Sequence, residues 1–355
     1  MKKKLKILYC GLKYDYGDKI NGYSFEHHNF YKSFSLMENI ETLDYFPIDE
    51  IIFQSGKDYL NEKILLSAKK NRYDLIFFFI FKDEIFESTL KYLKNELGII
   101  TLGWMADDHW RFEIFTKYIA NNYSYIITTD KDTLPKYKEN NLSNVIFSQW
   151  ACNHHYYKPI ENKKINKISF VGMYYGTRGK DINYLKKNLG NISCWGYGWP
   201  SGKIEDEKKI EIYSQSLINL NFSKSSNQKN LKSFIKIFLK KNTNKNFQIN
   251  TTKEILDNTK NFFKNSSNQI KARIFEVIGC KTFLLSENSD YIDKYFEVDK
   301  EIVLFSDLKE AEEKIRYYLK NETELNKIAK AGYERVLRDH TYEKRFNQIF
   351  KIINV

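Results

Sequence analysis

Charged residues with helical spacing occur in the segment NQIKARIFEVIGC, residues 268–280, directly before a short apolar run. Helical periodicity places Lys271, Arg273 and Glu276 within about one and a half turns of one another. Two cations at this spacing can bind a diphosphate, and the carboxylate can accept hydrogen bonds from ribose hydroxyls. The same pattern also fits a helix with a solvated charged face and a packed apolar face, so the neighbouring motifs are needed to distinguish a binding site from an ordinary helix surface.

A second basic group follows an apolar run in FVGMYYGTRGKD, residues 170–181. Gly172 ends the predicted strand, and the missing side chain there lets a ligand approach the backbone. Arg178 lies in the loop that follows and can neutralise a phosphate. The segment lacks the GxGxxG pattern, which disfavours a site for a hydride-transferring dinucleotide.

Two more predicted strand ends carry polar side chains. Tyr197 lies in CWGYGWP, and Asn221 and Ser223 lie in LNFSKSS. A ring, an amide and a hydroxyl can line a pocket for a base or a sugar, although turn formation explains the same residue types equally well. Ligands of parallel sheets bind outside the carboxyl ends of the strands, so these residues join Gly172 and Arg178 as candidates for one site.

Acidic residues form a separate cluster in the N-terminal half. Asp107, Asp108 and His109 in LGWMADDHWRFE directly follow a predicted strand. Glu26 follows a glycine-bearing loop in GYSFEHHNFYKSF. A carboxylate at such a position can orient or deprotonate an acceptor hydroxyl. Helix capping, and an ion pair between Asp108 and Arg111, are the structural alternatives.

Short apolar runs alternate with longer amphipathic stretches, a pattern typical of βα units that build parallel sheets. The first set of predicted strands comprises residues 6–11, 41–47, 75–81, 98–105, 125–130 and 144–151. After Pro159 the pattern restarts with residues 167–176, 191–199, 217–223, 282–287 and 301–307. The predicted fold class is α/β, with two Rossmann-like, doubly wound parallel-sheet domains that face a cleft.

The composition is that of a folded protein with a polar surface. Of 355 residues, 42% are hydrophobic and 16% aromatic, which is enough to fill two cores. The net charge of +12 comes mostly from lysine, which accompanies a general enrichment in Asn, Ile, Phe and Tyr, so a dedicated nucleic-acid surface is not expected.

Four scattered cysteines without a CxxC pattern indicate reduced thiols of a cytoplasmic protein. The basic N-terminus lacks the apolar core of a signal peptide, and the longest apolar run, residues 75–81, is too short to span a membrane.

A lysine- and asparagine-rich stretch, residues 224–267, interrupts the second half of the chain. Its segment LKSFIKIFLKK has helical periodicity, with lysines opposite one apolar face that contains Leu231, Phe234, Ile235, Phe238 and Leu239. An ordinary surface helix docked on its own domain is one interpretation, and an amphipathic helix at a membrane surface is the other. The sequence leaves both interpretations open.

The second half resembles a known family in several segments together. They are KISFVGMYYGTRGKDINYLKKN, CWGYGW, LINLNFS, NQIKARIFEVIGCKTFLLSE and GYERVLRDHTYEKRFNQIF. Over most of residues 165–350 the chain is similar to the CgeB-like group of GT-B glycosyltransferases, which carry the glycosyl transferases group 1 pattern. The resemblance implies a Rossmann-like acceptor domain at residues 1–158 and a nucleotide-sugar domain at 159–325, with 224–267 as an insertion. It also implies that residues 326–355 form a C-terminal helix that returns to the N-terminal domain.

The resemblance implies roles for single residues as well. Glu276 matches the second glutamate of a motif of two glutamates with seven spacers, which contacts the nucleotide ribose in the related retaining enzymes. The first glutamate of the motif would fall at position 268, where this sequence has Asn268 instead. The contact that this glutamate makes to the donor sugar in the related enzymes is therefore not expected for this chain. Arg178 and Lys271 or Arg273 match basic residues that stabilise the leaving diphosphate, and enzymes of this fold in general need no metal for that step.

The expected function is transfer of a sugar from an NDP-sugar to an acceptor hydroxyl, with retention of configuration, in cell-surface glycan assembly. The expected partners are the NDP-sugar, without a further cofactor, and a glycan, lipid-linked or protein acceptor. The expected location is the cytoplasm, with peripheral contact to the inner face of the membrane. No metal is expected, since His27 and His28 have no ligating partner at a usual spacing. Two alternatives stay open: a non-catalytic protein that binds a sugar nucleotide or glycan, and a transferase that glycosylates a nucleic-acid base.

Overall fold

The structure is a computed structural model that describes residues 4–161, 163–224, 231–241, 247–252, 255–256, 259 and 268–355. The chain divides into two compact units. Unit 1 comprises Met1–Pro159, Ile278–Cys280 and Tyr333–Val355. Unit 2 comprises Ile160–Val277 and Lys281–Gly332. The C-terminal segment therefore belongs to the same unit as the N-terminal half.

Unit 1 is built on a parallel six-stranded sheet with the strand order β2-β1-β3-β4-β5-β6. The strands are Leu5–Gly11 (β1), Ile40–Pro47 (β2), Leu75–Phe78 (β3), Ile100–Met105 (β4), Tyr125–Thr128 (β5) and Val145–Phe147 (β6). Alternate residues of one strand enter two different apolar clusters, as Leu8 and Ile7 of β1 do. Both faces of the sheet are therefore covered, which explains why its central strands are apolar throughout.

The helical connections of unit 1 are mostly short. The α-helical segments are Lys32–Phe34, Ile48–Asn71, Glu87–Lys91, Asp108–Arg111, Lys117–Ile119 and Leu134–Glu139. Three wider π-helical turns adjoin four of these segments, at His27–Tyr31, Tyr92–Glu96 and Phe112–Thr116. Such turns are rare in proteins and often occur at functional sites. The predicted catalytic residue Glu26 directly precedes the first turn, and Thr116 of the third turn donates a hydrogen bond to Asp108.

The C-terminal helix Tyr342–Ile352 completes the core of unit 1. The ring of Phe346 is fully buried, with its centroid 4.1 Å from that of Phe34 and 5.5 Å from that of Phe30. The backbone of Cys152 forms two hydrogen bonds, of 2.9 and 3.0 Å, with the chain at the start of this helix. Residues distant in sequence thus share one apolar cluster.

Unit 2 contains a parallel five-stranded sheet and a separate hairpin. The strands in chain order are Asn166–Val171 (β7), Ser193–Trp195 (β8), Ser216–Asn221 (β9), Leu239–Lys241 (β10), Phe247–Ile249 (β11), Phe283–Glu287 (β12) and Val303–Phe305 (β13). The sheet has the order β13-β12-β9-β7-β8, and β10 pairs with β11 in antiparallel orientation. The α-helices that lie wholly in unit 2 are Arg178–Leu189, Asp206–Ser214, Leu231–Phe238 and Leu308–Tyr318, whereas Ala272–Gly279 and Glu322–Asp339 begin in unit 2 and end in unit 1.

The predicted α/β class with two parallel sheets is confirmed, because each predicted strand region contains a strand in the predicted set. Several strands are shorter than the predicted runs: β3 ends at Phe78, although Phe79 and Ile80 are also buried. An apolar run thus marks burial and overestimates the length of the strand at this position. Much of the predicted insertion, residues 225–230, 242–246, 253–254, 257–258 and 260–267, lies outside the described residues. None of the helices in the described part of the chain has the length and apolarity needed to cross a bilayer.

Phe346→Ala is expected to lower the free energy of unfolding by about 3–5 kcal/mol, because it empties a fully buried ring site. Phe53→Ala is the matched control: Phe53 is 92% exposed, so its loss should cost less than about 0.5 kcal/mol. Urea unfolding followed by circular dichroism measures both changes. A Phe346 variant as stable as the parent would contradict the packing described for this helix.

Candidate functional site

Three neighbouring strands of unit 2 end at one edge of its sheet. The three strands are neighbours in the order β12-β9-β7. Strand β12 ends at Glu287, β9 ends at Asn221, and Gly172 directly follows β7. The helices Arg178–Leu189 and Ala272–Gly279 begin at the same edge, since their first turns contact these strand ends. Ligands of parallel sheets bind at this edge, where helix N-termini also attract anions.

The guanidinium of Arg178 is buried among backbone oxygens and aromatic rings. Its two Nη atoms donate to the carbonyl oxygens of Met173 at 3.1 Å and Phe222 at 3.2 Å. Its guanidinium carbon lies 4.0 Å from the ring centroid of Tyr175 and 5.6 Å from that of Phe170. These contacts fix the cation between the ends of β7 and β9.

Arg273, in the first turn of the helix Ala272–Gly279, reaches the same place. One Nη atom donates to Oδ1 of Asn221 at 3.3 Å, and the guanidinium carbon lies 5.4 Å from the ring centroid of Phe170. A Cβ added to Gly172 would come within 2.6 Å of the other Nη atom of Arg273. The glycine expected to admit a ligand to the backbone therefore makes room for an arginine.

The two arginines form a concentrated positive charge. Both contact the ring of Phe170, and burial together with the charge of Arg273 lowers the pKa of Arg178 to about 10. Within the described part of the chain, neither guanidinium has a carboxylate within ion-pairing distance. Their direct hydrogen-bond partners are neutral, and the charges of Glu287 and Asp181 offset the positive charge of Arg178 only in part. Two adjacent cations without a direct acidic partner can bind an anion with more than one negative charge, such as a diphosphate.

Glu287, which was not among the predicted site residues, organises the adjacent strand end. Its carboxylate accepts hydrogen bonds from the amides of Ser223 at 3.0 Å and Lys224 at 3.1 Å, and the Lys224 ammonium lies 2.7 Å away. The Ser223 hydroxyl donates to the Glu287 carbonyl at 2.8 Å, and the Asn221 amide donates to Ser286 Oγ at 2.9 Å. The sequence did contain a signal for Glu287, because the otherwise apolar strand FLLSE ends in two polar residues, Ser286 and Glu287.

Glu276 and Lys271 flank Arg273 in sequence and differ in placement. Glu276 is buried three residues after Arg273 on the same helix, a spacing that puts both side chains on one side. Lys271 precedes the helix, and its ammonium donates to Oε1 of Gln269 at 3.0 Å. Of the three residues predicted to act together, Arg273 and Glu276 therefore lie on the helix, whereas Lys271 lies in the segment that precedes it.

Tyr197 lies in a loop that packs on the chain after β7. Nε1 of Trp199 donates to the carbonyl oxygen of Gly172 at 2.7 Å. Gly196, with a φ of 127°, approaches the same carbonyl so closely that an added Cβ would lie 2.4 Å from it. The Tyr197 ring is partly exposed below the ammonium of Lys203, at 5.2 Å. The other residues of this loop support the strand end, whereas Tyr197 presents a ring to solvent.

In unit 1, the acidic pair after β4 separates into one exposed and one buried residue. Asp107 is exposed and has a left-handed backbone with a φ of 61°. The carboxylate of Asp108 is fully buried and accepts hydrogen bonds from the hydroxyls of Thr116 at 2.6 Å and Tyr137 at 2.5 Å. Burial raises the pKa of Asp108 to about 6. Solvent reaches Asp107, while Asp108 is enclosed by its own unit.

Neither structural alternative for this pair describes the observed contacts. The Asp107 side chain makes no capping hydrogen bond to the helix Asp108–Arg111. The Arg111 guanidinium donates to the carbonyl oxygens of Phe81 at 2.8 Å and Ala106 at 3.4 Å rather than to an acid. His109 is half-buried in the same helical turn.

Glu26 is a second carboxyl group enclosed by unit 1, at the start of the π-helical turn His27–Tyr31. Burial, with smaller contributions from the charges of Asp15 and Asp49, raises the pKa of Glu26 to about 7. A carboxyl group that titrates near neutral pH is suited to exchange a proton with a substrate hydroxyl.

Among the described residues, side chains spaced to hold a metal ion occur at His154, His155 and Glu343. The rings of His27 and His28 instead stack on tyrosine rings at centroid distances of 4.5 and 4.6 Å. A reaction that needs no metal stays a prediction for this chain.

Comparisons with known proteins agree with this architecture. Residues 240–351 match the family model described as Glycosyl transferase-like. A search of curated proteins by sequence finds no match. Solved structures share the fold along nearly the whole chain. A glycosyltransferase from Rickettsia africae ESF-5 has a TM-score of 0.59 and 11% identity, with 98% of this chain and 97% of that chain covered.

Two further structures are equally distant in sequence. Anabaena Alr3699/HepE in complex with UDP-glucose has a TM-score of 0.58 and 9% identity, with 99% of both chains covered. Sucrose-phosphate synthase from Thermosynechococcus elongatus has a TM-score of 0.56 and 11% identity, with 98% of both chains covered. At such identities the likeness shows the fold alone.

The two parallel sheets and the structural neighbours show that the chain has the GT-B fold, and residues 240–351 are similar to the glycosyl transferase-like family. The matched region includes the helix that carries Arg273 and Glu276, and also the strand that ends at Glu287. The two-domain fold expected from the resemblance is confirmed, and the family match lies within the region that carries the resemblance.

Glu26→Gln is expected to change how stability depends on pH. The pKa of Glu26 rises from 4.5 to about 7 on folding, so the folded parent retains a proton that the unfolded chain loses between these values. Stability of the parent therefore falls as the pH rises through this window, by up to about 3 kcal/mol. The Glu26→Gln variant is expected to lack this loss of stability. Urea unfolding near pH 4.5 and near pH 7 measures the change in the free energy of unfolding, with exposed Glu38→Gln as the control. Identical pH dependence of parent and Glu26→Gln would contradict the buried acid.

Proposed function

We propose that the chain transfers a sugar from a nucleoside-diphosphate sugar to an acceptor hydroxyl, with UDP-sugars as the first candidates. The observation that carries the proposal is the pair of guanidinium groups, Arg178 and Arg273, at the carboxyl edge of the unit 2 sheet. A leaving diphosphate supplies the negative charge that this pair lacks. The presence of UDP-glucose in the Anabaena HepE structure supports uridine as the base to test first.

In the transfer step, the bond between the anomeric carbon and the diphosphate oxygen breaks, and the acceptor oxygen forms the new bond to that carbon. The diphosphate leaves with the bonding electron pair, and Arg178 and Arg273 stabilise its charge. The acceptor hydroxyl gives its proton to a carboxylate or to the leaving diphosphate. Because the arginines are already held by carbonyls, an amide and aromatic rings, they need little reorganisation when the charge develops.

The rest of the donor site is proposed around these cations. Glu276 is assigned to the ribose hydroxyls, because it is buried on the helix of Arg273 and can accept two hydrogen bonds. The further proposed donor contacts are Gly172, Tyr197, Asn221, Ser223 and Lys271. Asn221 contacts Arg273 directly, and Ser223 is tied to it through the same strand end.

Asp107 is the proposed acceptor-facing carboxylate of unit 1. It is exposed at the end of β4, and an aspartate held at positive φ is a strained conformation of the kind found at active sites. Asp108 is proposed as a positioning residue, since its carboxylate is enclosed and both oxygens accept hydroxyl hydrogen bonds. His109 and Glu26 are the other groups of unit 1 proposed to handle the acceptor proton.

Several finer properties are proposed from the resemblance of residues 165–350 alone. They are retention of configuration, a reaction without metal or further cofactor, a cytoplasmic location, and cell-surface glycan assembly on a glycan, lipid-linked or protein acceptor. The stereochemistry of the product follows from NMR of the new linkage. An inverted product would assign one of the unit 1 carboxylates as the general base.

The direct test is release of nucleoside diphosphate from a panel of NDP-sugars by the purified chain. One donor is expected to be consumed. Arg178→Gln and Arg273→Gln are each expected to weaken binding of that nucleoside diphosphate by roughly 10- to 100-fold, because each removes a charge-assisted contact. Arg316→Gln is the matched control, since Arg316 forms an exposed ion pair with Glu312 and should not change affinity.

Two outcomes would count against the proposal in different ways. Binding of an NDP-sugar without release or transfer would favour a non-catalytic sugar-nucleotide-binding protein, the alternative raised by Asn268. Equal affinity of the parent and both arginine variants for every nucleoside diphosphate would contradict the donor site itself.

Asp107→Asn is expected to lower kcat by roughly 100-fold or more without loss of stability, because the side chain is exposed. Asp108→Asn is expected to lower the free energy of unfolding by about 1–3 kcal/mol, because it disturbs a buried pair of hydroxyl contacts. Steady-state kinetics and urea unfolding on both variants separate the two roles. Full activity of Asp107→Asn would remove Asp107 from the reaction.

A further inference from the structure

Most of the net positive charge of the chain is concentrated in one segment of unit 2. Residues 224–267 contain ten lysines against two acidic residues, Glu254 and Asp257, a net charge of +8 out of +12. The rest of the chain therefore carries +4. A compositional bias spread along the chain does not explain so local a concentration.

The helix Leu231–Phe238 in this segment exposes the face that an ordinary docked helix would bury. Phe234, Ile235 and Phe238 are 46%, 42% and 43% exposed, whereas Ile237 is 3% exposed. The helix is thus anchored through Ile237, and three members of its predicted apolar face are turned towards solvent. Clustered exposed apolar side chains of this size mark an interaction surface.

The exposed apolar surface continues into the hairpin. Ile249, the last residue of β11, is 75% exposed. The next residue, Asn250, donates its backbone N–H to the Phe238 carbonyl and its side-chain amide to the Ile237 carbonyl, both at 2.8 Å. These two hydrogen bonds join the end of the hairpin to the end of the helix, so both belong to one local structure.

We propose that the insertion surface, defined as Phe234, Ile235, Phe238 and Ile249, docks the protein on an anionic lipid bilayer. Apolar side chains enter the boundary between headgroups and acyl chains, and lysines in the same segment are attracted to anionic headgroups. A nucleic acid would satisfy the lysines but offers little to branched aliphatic side chains. An anionic bilayer matches both the charge and the exposed apolar groups.

This inference goes beyond sugar transfer and does not rest on the donor site. Arg178 and Arg273 contribute nothing to the insertion surface, and lipid binding needs no nucleotide. If the acceptor is lipid-linked, docking restricts the search for it to two dimensions. The test can therefore be read without any transfer activity.

The test is co-sedimentation of the full chain with vesicles of phosphatidylcholine, alone or mixed with phosphatidylglycerol. The parent is expected to pellet with the mixed vesicles and to stay in the supernatant with the neutral ones. The double variant Phe234→Ser, Phe238→Ser is expected to lower the partition coefficient roughly tenfold or more. Lys232→Gln with Lys236→Gln is expected to have an effect of similar size.

The matched control is Phe53→Ser with Leu66→Ser, two exposed apolar residues on the helix Ile48–Asn71 of unit 1, which should bind vesicles like the parent. Thermal unfolding and nucleotide binding on the same samples separate loss of docking from loss of fold or donor site. Vesicle binding unchanged by both insertion variants would overturn the proposal. So would retention on duplex DNA without any pelleting, which would assign the segment to nucleic acid instead.

Discussion

Two like charges held close together at the end of β7 are the constraint on which the proposed donor site depends. Guanidinium groups repel one another, and burial increases both that repulsion and the cost of desolvation. The fold holds Arg178 with two carbonyl oxygens and a tyrosine ring, and it holds Arg273 with an amide oxygen. The neutral hydrogen-bond partners orient the cations without forming ion pairs with them, which supports the proposed binding of a diphosphate.

The glycines and the tryptophan around this pair follow from the same constraint. Gly172 has no side chain because Arg273 occupies the space, and Gly196 has none because its backbone lies against the Gly172 carbonyl. Trp199 donates to that carbonyl and fixes its direction. The carboxylate of Glu287, which ends β12, is engaged by Lys224 and two amides. Its charge raises the pKa of Arg178, but less than burial and the charge of Arg273 lower it.

The sequence could predict the sheets and the sheet edge at which the proposed site residues meet, but not the contacts among them. Apolar runs record burial, and parallel strands share one carboxyl edge, so the order of residues along the chain was enough to group Gly172, Asn221 and Arg273. Which of two adjacent aspartates faces solvent depends on one backbone angle, the φ of 61° at Asp107, and no local pattern encodes it. The predicted apolar helix of the insertion is only partly correct. It ends at Phe238, Leu239 begins strand β10, and the residue that it buries is Ile237, which is not on the predicted face.

The central claim is that the two arginines bind the second phosphate of the donor. Isothermal titration of the parent and of Arg273→Gln with UDP and UMP tests it most directly, or with the diphosphate and monophosphate of whichever base the donor panel identifies. The parent is expected to bind the diphosphate at least roughly tenfold more tightly than the monophosphate, and the variant to lose most of that preference while keeping its affinity for the monophosphate. A variant that keeps the full preference would contradict the claim.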